Sequence, residues 1–288
     1  MLAVFLSWLL FPPFLLLEPP ATTGQHVIVT GASQGIGRAL VMEYAKRGAA
    51  QICIASRSEE KLRVVAQRVM EKYPLTKVHV VAADISSRHI AEAVVSKALE
   101  LMDNRLDVLL LNHITSSQFG TWLGKEDRGF VTSMFETNTF SYIWMATAAV
   151  ESLAKSPTGG RIGVVSSMAG HVGIPKTAVY GATKHALHGF FNSFRIELRY
   201  RPNLERVGVT LCAIGATETE GAQLIKHEMS SSIHWDSAEW AAEAIVRGVG
   251  LKLRELFHPH HIVFPAAQIY HFFPNFLDEI LLKTQSPS

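Results

Sequence analysis

The stretch Val179-Tyr180-Gly181-Ala182-Thr183-Lys184 sets a phenol and an ammonium four residues apart, a spacing that puts both on one face of a helix. A free tyrosine, with a pKa of about 10, exchanges protons poorly at neutral pH. A neighbouring ammonium favours the phenolate and lowers that pKa, so Tyr180 is expected to trade a proton with an alcohol or carbonyl oxygen. Thirteen residues earlier, closing the apolar run RIGVVSS, stands Ser167, whose hydroxyl can bond the same substrate oxygen and stabilise charge developing on it. Taken singly, each of the three has an ordinary surface reading. Their weight depends on what lies upstream.

Upstream, Thr30 to Gly37 read TGASQGIG, with Gly31, Gly35 and Gly37 set around Ser33, Gln34 and Ile36 between an apolar run and a helix-length segment. A turn of this kind lets the backbone approach a pyrophosphate while the helix N-terminus stabilises its charge. Any tight strand-to-helix turn favours glycines, but G-x-x-x-G-x-G in this position points to a dinucleotide. An NAD site would place an acid about twenty residues further on, at the end of the second strand, to hold the ribose hydroxyls. Here stand Ser56, Arg57 and Ser58. Arg57 can pair with a 2′-phosphate that an acid would repel, and Ser58 can add hydrogen bonds, so NADP(H) is the expected cofactor. A solvated arginine at a helix start is the alternative. Asp84, followed by Ile85 after VHVVAA, is placed either to accept from the adenine amine or to cap the helix beginning near Ser86. Lys184 could also hold the nicotinamide ribose.

These residues need a frame, and the chain supplies one from Gly24 onward. The runs HVIVTG, QICIAS, VHVVAAD, DVLLLN, RIGVVSS and VGVTLCAI, with a shorter ELFH, are rich in Val, Ile and Leu without strict alternation, as strands covered on both faces should be. Between them fall helix-length segments at 36–47, 59–73, 87–102, a long pair over 126–155, 178–201 and 237–253. Alternation of this kind predicts an α/β fold, a Rossmann-type doubly wound parallel sheet of about seven strands over 25–258. The final residues, 259–288, carry aromatics without that pattern and are expected to pack on the domain, a twin subunit or a bilayer.

Composition excludes several other roles. Twenty-seven Lys and Arg against twenty-five Asp and Glu leave a formal charge of +2, too weak a field to imply nucleic acid. Cys53 and Cys212 sit inside apolar runs and read as core thiols. The thirteen histidines show no ligand spacing, so no metal site is expected; His258, His260 and His261, broken by Pro259, read as a solvated turn. Residues 1–17, MLAVFLSWLLFPPFLLL, carry no charged side chain. As a helix they would span about 25 Å, the short limit for a membrane helix, and Pro12-Pro13 interrupts them. A short anchor, a cleaved signal and a peripheral apolar arm all fit.

Over about residues 25 to 258, the motifs TGASQGIG, VVSS and YGATK together resemble the short-chain dehydrogenase/reductase family. The resemblance implies Tyr180 as acid–base, Lys184 as cofactor holder and proton-relay member, and Ser167 as stabiliser of the substrate oxygen. It also implies a relay role for Asn138, in MFETNTFSY, which by itself is only a polar residue at a helix kink. Where the wider family carries N-N-A-G and P-G-x-x-x-T, this chain has Leu111-Asn112-His113-Ile114 and Ile214-Gly215-Ala216-Thr217-Glu218-Thr219. Both are similar to the 11β-hydroxysteroid dehydrogenase type 1 group. That likeness implies Asn112, His113, Thr217 and Thr219 beside the cofactor, with His113 as wall rather than base or ligand. It further implies a homodimer held to the endoplasmic reticulum membrane.

The expected activity is NADP(H)-dependent interconversion of a secondary alcohol and a ketone on an apolar steroid or other lipid. Leu224, Ile225, Met229 and Trp235, after Thr219, are available as an apolar wall. A helix packing on its own core would look similar, and a nucleotide-binding scaffold without turnover is the alternative of a different class.

Overall fold

In the computed structural model, residues 17, 21–115, 119–123, 127–223, 226–229 and 233–285 are described. The expected apolar runs become β1 (His26–Thr30), β2 (Gln51–Ser56), β3 (Lys77–Ala82), β4 (Val108–Leu111), β5 (Arg161–Val165) and β6 (Gly208–Ile214). Two short strands that sequence patterning missed, β7 (Thr217–Glu218) and β8 (Asp236–Ser237), pair with each other, and β9 (Glu255–His258) completes the main sheet. That sheet is wholly parallel in the order β3-β2-β1-β4-β5-β6-β9. It is the doubly wound Rossmann arrangement, whose strand order reverses between β1 and β4. Ligands in such sheets bind beyond the carboxyl ends of the strands at that reversal.

The crossovers are α1 (Gly35–Lys46), α2 (Glu59–Lys72), α3 (Arg88–Leu101), α4 (Arg128–Phe135), α5 (Ser141–Ala154) and α6 (Ala178–Tyr200). They are followed by a short α7 (Glu220–Gln223) and α8 (Ala238–Gly250). Successive strand residues face opposite sides of the sheet, and both sides are covered. Val27 and Val29 of β1 pack with Leu40 of α1, Val65 of α2 and Ile245 of α8. Ile28 and Leu109 pack on the other side with Val94 of α3, Met145 of α5 and Phe191 of α6. Two apolar layers explain why these strands read as continuous rather than alternating runs. Both cysteines are free and buried within them.

The segment expected to hold a long helix pair differs in detail. α4 and α5 are joined by one wide π turn, Glu136–Phe140, with helical backbone angles carried through both junctions. The C-terminal residues, for which no regular pattern was apparent, form α9 (His260–Phe272) and α10 (Pro274–Gln285). The expected solvated turn at His258 is also corrected. His258 ends β9, is buried, meets the edge of the Trp240 ring at 5.3 Å and lies 3.4 Å from Asp236. Among the described residues no helix is long and apolar enough to cross a membrane. The apolar segment 1–17 lies, except for Leu17, outside the described residues.

Candidate active site

The long helix α6 fixes Tyr180 and Lys184, because its inner face is anchored in the core by Leu187, Phe191 and Leu198. Lys184 is 1% exposed, and its Nζ donates to the Val165 carbonyl at 3.1 Å. The same nitrogen lies 5.5 Å from the centre of the Tyr142 ring and 5.6 Å from that of Tyr180. Ser167, just past β5, caps the single helical turn Met168–Gly170 by accepting from Ala169 N at 3.1 Å.

Burial works against the lowered phenol pKa expected from the spacing. Burial raises the Tyr180 pKa, with the Ser167 hydrogen bond offsetting part of the rise. Burial also pulls Lys184 down to about 7, so at neutral pH the ammonium that was to lower the phenol is itself half lost. Loss of solvation pushes both groups toward their neutral forms.

Asn138 occupies the π turn and has no exposed surface. Its Oδ1 accepts from Thr115 N at 2.9 Å, while its Nδ2 has no partner among the described residues. The turn is tied to α6 by Thr139 Oγ1, which donates to the Thr183 carbonyl at 3.1 Å. π turns widen a helix by one residue and occur frequently at functional sites.

At the sheet reversal, Asn112 N donates to Thr30 Oγ1 at 2.9 Å and Asn112 Nδ2 to the Thr30 carbonyl at 3.2 Å, so the ends of β1 and β4 hold each other. The glycines between Thr30 and α1 have separate reasons. Gly31 has φ +64°, and a Cβ there would sit 2.7 Å from His113 Cα. A Cβ on Gly37 would lie 2.1 Å from the Gly31 carbonyl oxygen, closing the turn on itself. The turn's donors accommodate an anion: Glu220 Oε2 accepts from Gly35 N at 2.9 Å, and its Oε1 pairs with Arg38 at 2.6 Å.

One cavity of about 740 Å³ joins the two regions. Gly31, Ser33, Gln34, Gly35 and Ile36 line it at the glycine turn, Arg57 and Ser58 beside β2, and Asp84 and Ile85 beyond β3. Asn112, His113, Thr217 and Thr219 border its middle, and Ser167, Tyr180 and Lys184 its far side. Gly37 and Asn138 are not in the wall: the first packs beneath the turn and the second stands behind it. Ser58 caps α2 by accepting from Lys61 N at 3.4 Å. Asp84 is not a cap, since Ser87 caps α3.

Lys61 is a wall residue that the sequence reading missed. Its position four residues after Arg57, in the first turn of a helix, was the available signal. The apolar wall contains Met229 and Trp235 as expected, with Phe119, Ile174, Ile233 and, from α10, Leu281 in addition. Leu224 and Ile225 lie outside the described residues.

The comparisons agree with this geometry. The short chain dehydrogenase model matches residues 25–230. A hydroxysteroid 11-beta-dehydrogenase 1-like protein of Gallus gallus is 39% identical over 242 residues, 84% of this chain and 81% of that protein. A 3-oxoacyl (acyl-carrier-protein) reductase of Agrobacterium tumefaciens, solved with NADP, superposes with a TM-score of 0.71 at 18% identity over 82% of this chain and 93% of its own. An alcohol dehydrogenase of Thermococcus sibiricus, solved with 5-hydroxy-NADP, gives 0.68 at 25% identity over 81% and 95%.

The chain belongs to the short chain dehydrogenase family. It is accordingly an oxidoreductase by family, acting on CH-OH groups. Within this family frame His113 is the unusual wall residue, and its ring is directed into the protein. Nδ1 lies 2.8 Å from Thr30 Oγ1 and Nε2 2.6 Å from Ser141 Oγ, while its carbonyl accepts from the Tyr142 hydroxyl at 2.7 Å. Burial, reinforced by Lys184, lowers its pKa to about 3, so the ring is neutral under physiological conditions.

Proposed function

We propose that this dehydrogenase uses NADP(H) to interconvert a secondary alcohol and a ketone on an apolar substrate of steroid type. The observation that carries the reading is the single cavity in which the Ser167 and Tyr180 hydroxyls and the Lys184 ammonium adjoin an anion-accepting turn and the cations Arg57 and Lys61. The glycine turn and the N-terminus of α1 would hold the pyrophosphate, and Arg57, Ser58 and Lys61 the 2′-phosphate. Asp84 and Ile85 would border the adenine, and Thr217 and Thr219 the other side of the dinucleotide. When bound, the nicotinamide supplies or accepts the hydride.

Tyr180 moves the proton. Because burial keeps it a phenol, it enters a reduction ready to donate to the ketone oxygen. Ser167 Oγ donates to the same oxygen and stabilises the charge that develops there. Lys184, near half-protonated at pH 7, can pass a proton onward and hold the nicotinamide ribose. Asn138 fixes the end of that route; an unpartnered buried amide costs about 1–3 kcal/mol, a penalty that a functional role would explain. A steroid substrate is supported by the apolar wall of Phe119, Met229, Ile233 and Trp235 and by the name of the avian relative. Membrane association is supported by the charge-free residues 1–17, and a homodimer by the family likeness alone.

The test is a screen of purified protein against steroid, retinoid and simple lipid ketones, with NADPH and with NADH, beside Tyr180→Phe. We expect NADPH-dependent steroid turnover that falls at least 1000-fold in the variant. Equal turnover by Tyr180→Phe would refute the mechanism. A preference for NADH would refute the cofactor assignment, and a preference for another lipid class the steroid assignment.

A further inference from the structure

Outside the cavity, two imidazoles and a carboxylate meet on the far side of Ser166. His171 follows the helical turn Met168–Gly170, His188 projects from α6, and Glu255 opens β9. His171 Nε2 lies 2.6 Å and His188 Nδ1 3.3 Å from the same oxygen, Glu255 Oε1. The three groups offer ligand atoms all within 4.8 Å of one another. Sequence spacing conceals the cluster, because its members are 17 (188 − 171) and 67 (255 − 188) residues apart.

We infer that His171, His188 and Glu255 form a binding site for one divalent transition-metal ion of the zinc class, with a water as fourth ligand. Two imidazoles and one carboxylate are a donor set that zinc takes, whereas magnesium and calcium require more oxygens. Zinc bonds of about 2.1 Å put tetrahedral ligands about 3.4 Å apart; the present separations are 2.6 and 3.3 Å from the carboxylate oxygen and within 4.8 Å between the ring nitrogens, so side-chain shifts of about 1 Å would close the set on an ion.

The outer partners are also in place. His188 Nε2 lies 2.9 Å from Ser166 Oγ, so a proton on Nε2 leaves Nδ1 as the ligand atom. A Cβ on Gly170 would lie 2.6 Å from His188 Nε2, showing how closely the turn holds that ring. The side chains of His171 and Glu255 are 24% and 22% exposed, which leaves a way in for the ion and room for water.

Other charges near the cluster belong to His185, Arg195 and Arg254. Arg195 is occupied by the Val209 carbonyl, Asn192 Oδ1 and the Arg254 carbonyl, so it does not serve as the partner of Glu255. A bound ion would fasten α6, β9 and the turn after Ser167 to one another.

The test uses tag-free, metal-stripped full-length protein, titrated with Zn²⁺ by calorimetry and with Co²⁺ by visible absorption, and needs no enzymatic turnover. We expect one ion per chain, visible cobalt bands of a four-coordinate site, and no comparable binding of Mg²⁺. His171→Ala and Glu255→Gln should each weaken Zn²⁺ at least ten-fold, whereas His185→Ala, on the exposed face, should bind as wild type. His171 lies at the open edge of the cluster, so its variant carries the test if Glu255→Gln does not fold. Absence of stoichiometric Zn²⁺ or Co²⁺ binding, or binding unchanged in His171→Ala, would overturn the inference.

Discussion

Replacing Lys184 by methionine should abolish turnover and at the same time stabilise the cofactor-free protein. The side chain is 1% exposed, and burial lowers its pKa from 10.5 to about 7. Between those values the unfolded chain holds a proton that the native lysine has given up, so stability rises with pH through that window. Below about pH 7 the penalty is fully present, and above 10.5 it vanishes. The shift corresponds to about 4 kcal/mol at pH 7 and about 2 kcal/mol at pH 9. Methionine fills similar space without the charge, but it forfeits the 3.1 Å bond to the Val165 carbonyl, worth about 1 kcal/mol. The approach of its nitrogen to the Tyr142 and Tyr180 rings acts on the charged form and is already contained in the lowered pKa. The net gain at pH 7 is about 3 kcal/mol, which raises the Tm by several degrees. Urea unfolding of both proteins at pH 7 and pH 9, beside NADPH oxidation, measures it. A variant less stable than wild type at pH 7, or an advantage that does not shrink by pH 9, would refute the reasoning.

Three further outcomes follow from the cavity and its supports. Arg57→Ala should weaken NADPH about 10- to 150-fold by removing a charge-assisted contact of about 1.5–3 kcal/mol, and leave NADH unchanged in a fluorescence titration. Glu220→Gln should tighten NADPH by about two- to five-fold, because it removes an exposed negative charge worth at most about 1 kcal/mol from the donor proposed to serve the pyrophosphate; weaker binding would show that the Glu220–Arg38 pair supports the turn instead. Ser141→Ala should cost about 1–3 kcal/mol in urea unfolding, since it leaves buried His113 Nε2 without its partner.

The sequence was legible where one physical rule acted alone. β1, β2, β4, β5 and β6 could be read because both faces are covered, the edge strands β3 and β9 by their short apolar runs, and Tyr180 with Lys184 because helical geometry fixes what four residues mean. Where rules competed, the reading lost detail. The π turn adds a residue within the polar stretch Glu136-Thr137-Asn138-Thr139 between two helices, so the pattern could show a kink near Asn138 but not its geometry. β7 and β8 have two residues each, too few for any period. α9 and α10 expose Phe272 and Phe276, and Phe273 between them is exposed too, which blurs the contrast between faces that marks a helix. The spacing left protonation illegible, because it reports proximity, whereas burial is the chief influence on both Tyr180 and Lys184.

His113 shows how one substitution in a wall can serve both ends of the site. Its backbone closes against Gly31, where any Cβ on the glycine would collide with it, and so supports the turn proposed to hold the pyrophosphate. Its ring reaches back from Thr30 to Ser141 and lies 4.6 Å from the Tyr142 ring, the same ring that Lys184 Nζ approaches. Ser141 in turn donates to the Thr137 carbonyl in the π turn that carries Asn138. A small residue at 113 would leave Ser141 Oγ and Thr30 Oγ1 without this bridge. The imidazole therefore links the glycine turn to the side proposed for proton transfer through buried, neutral hydrogen bonds, and its low pKa keeps that link unchanged across the physiological range.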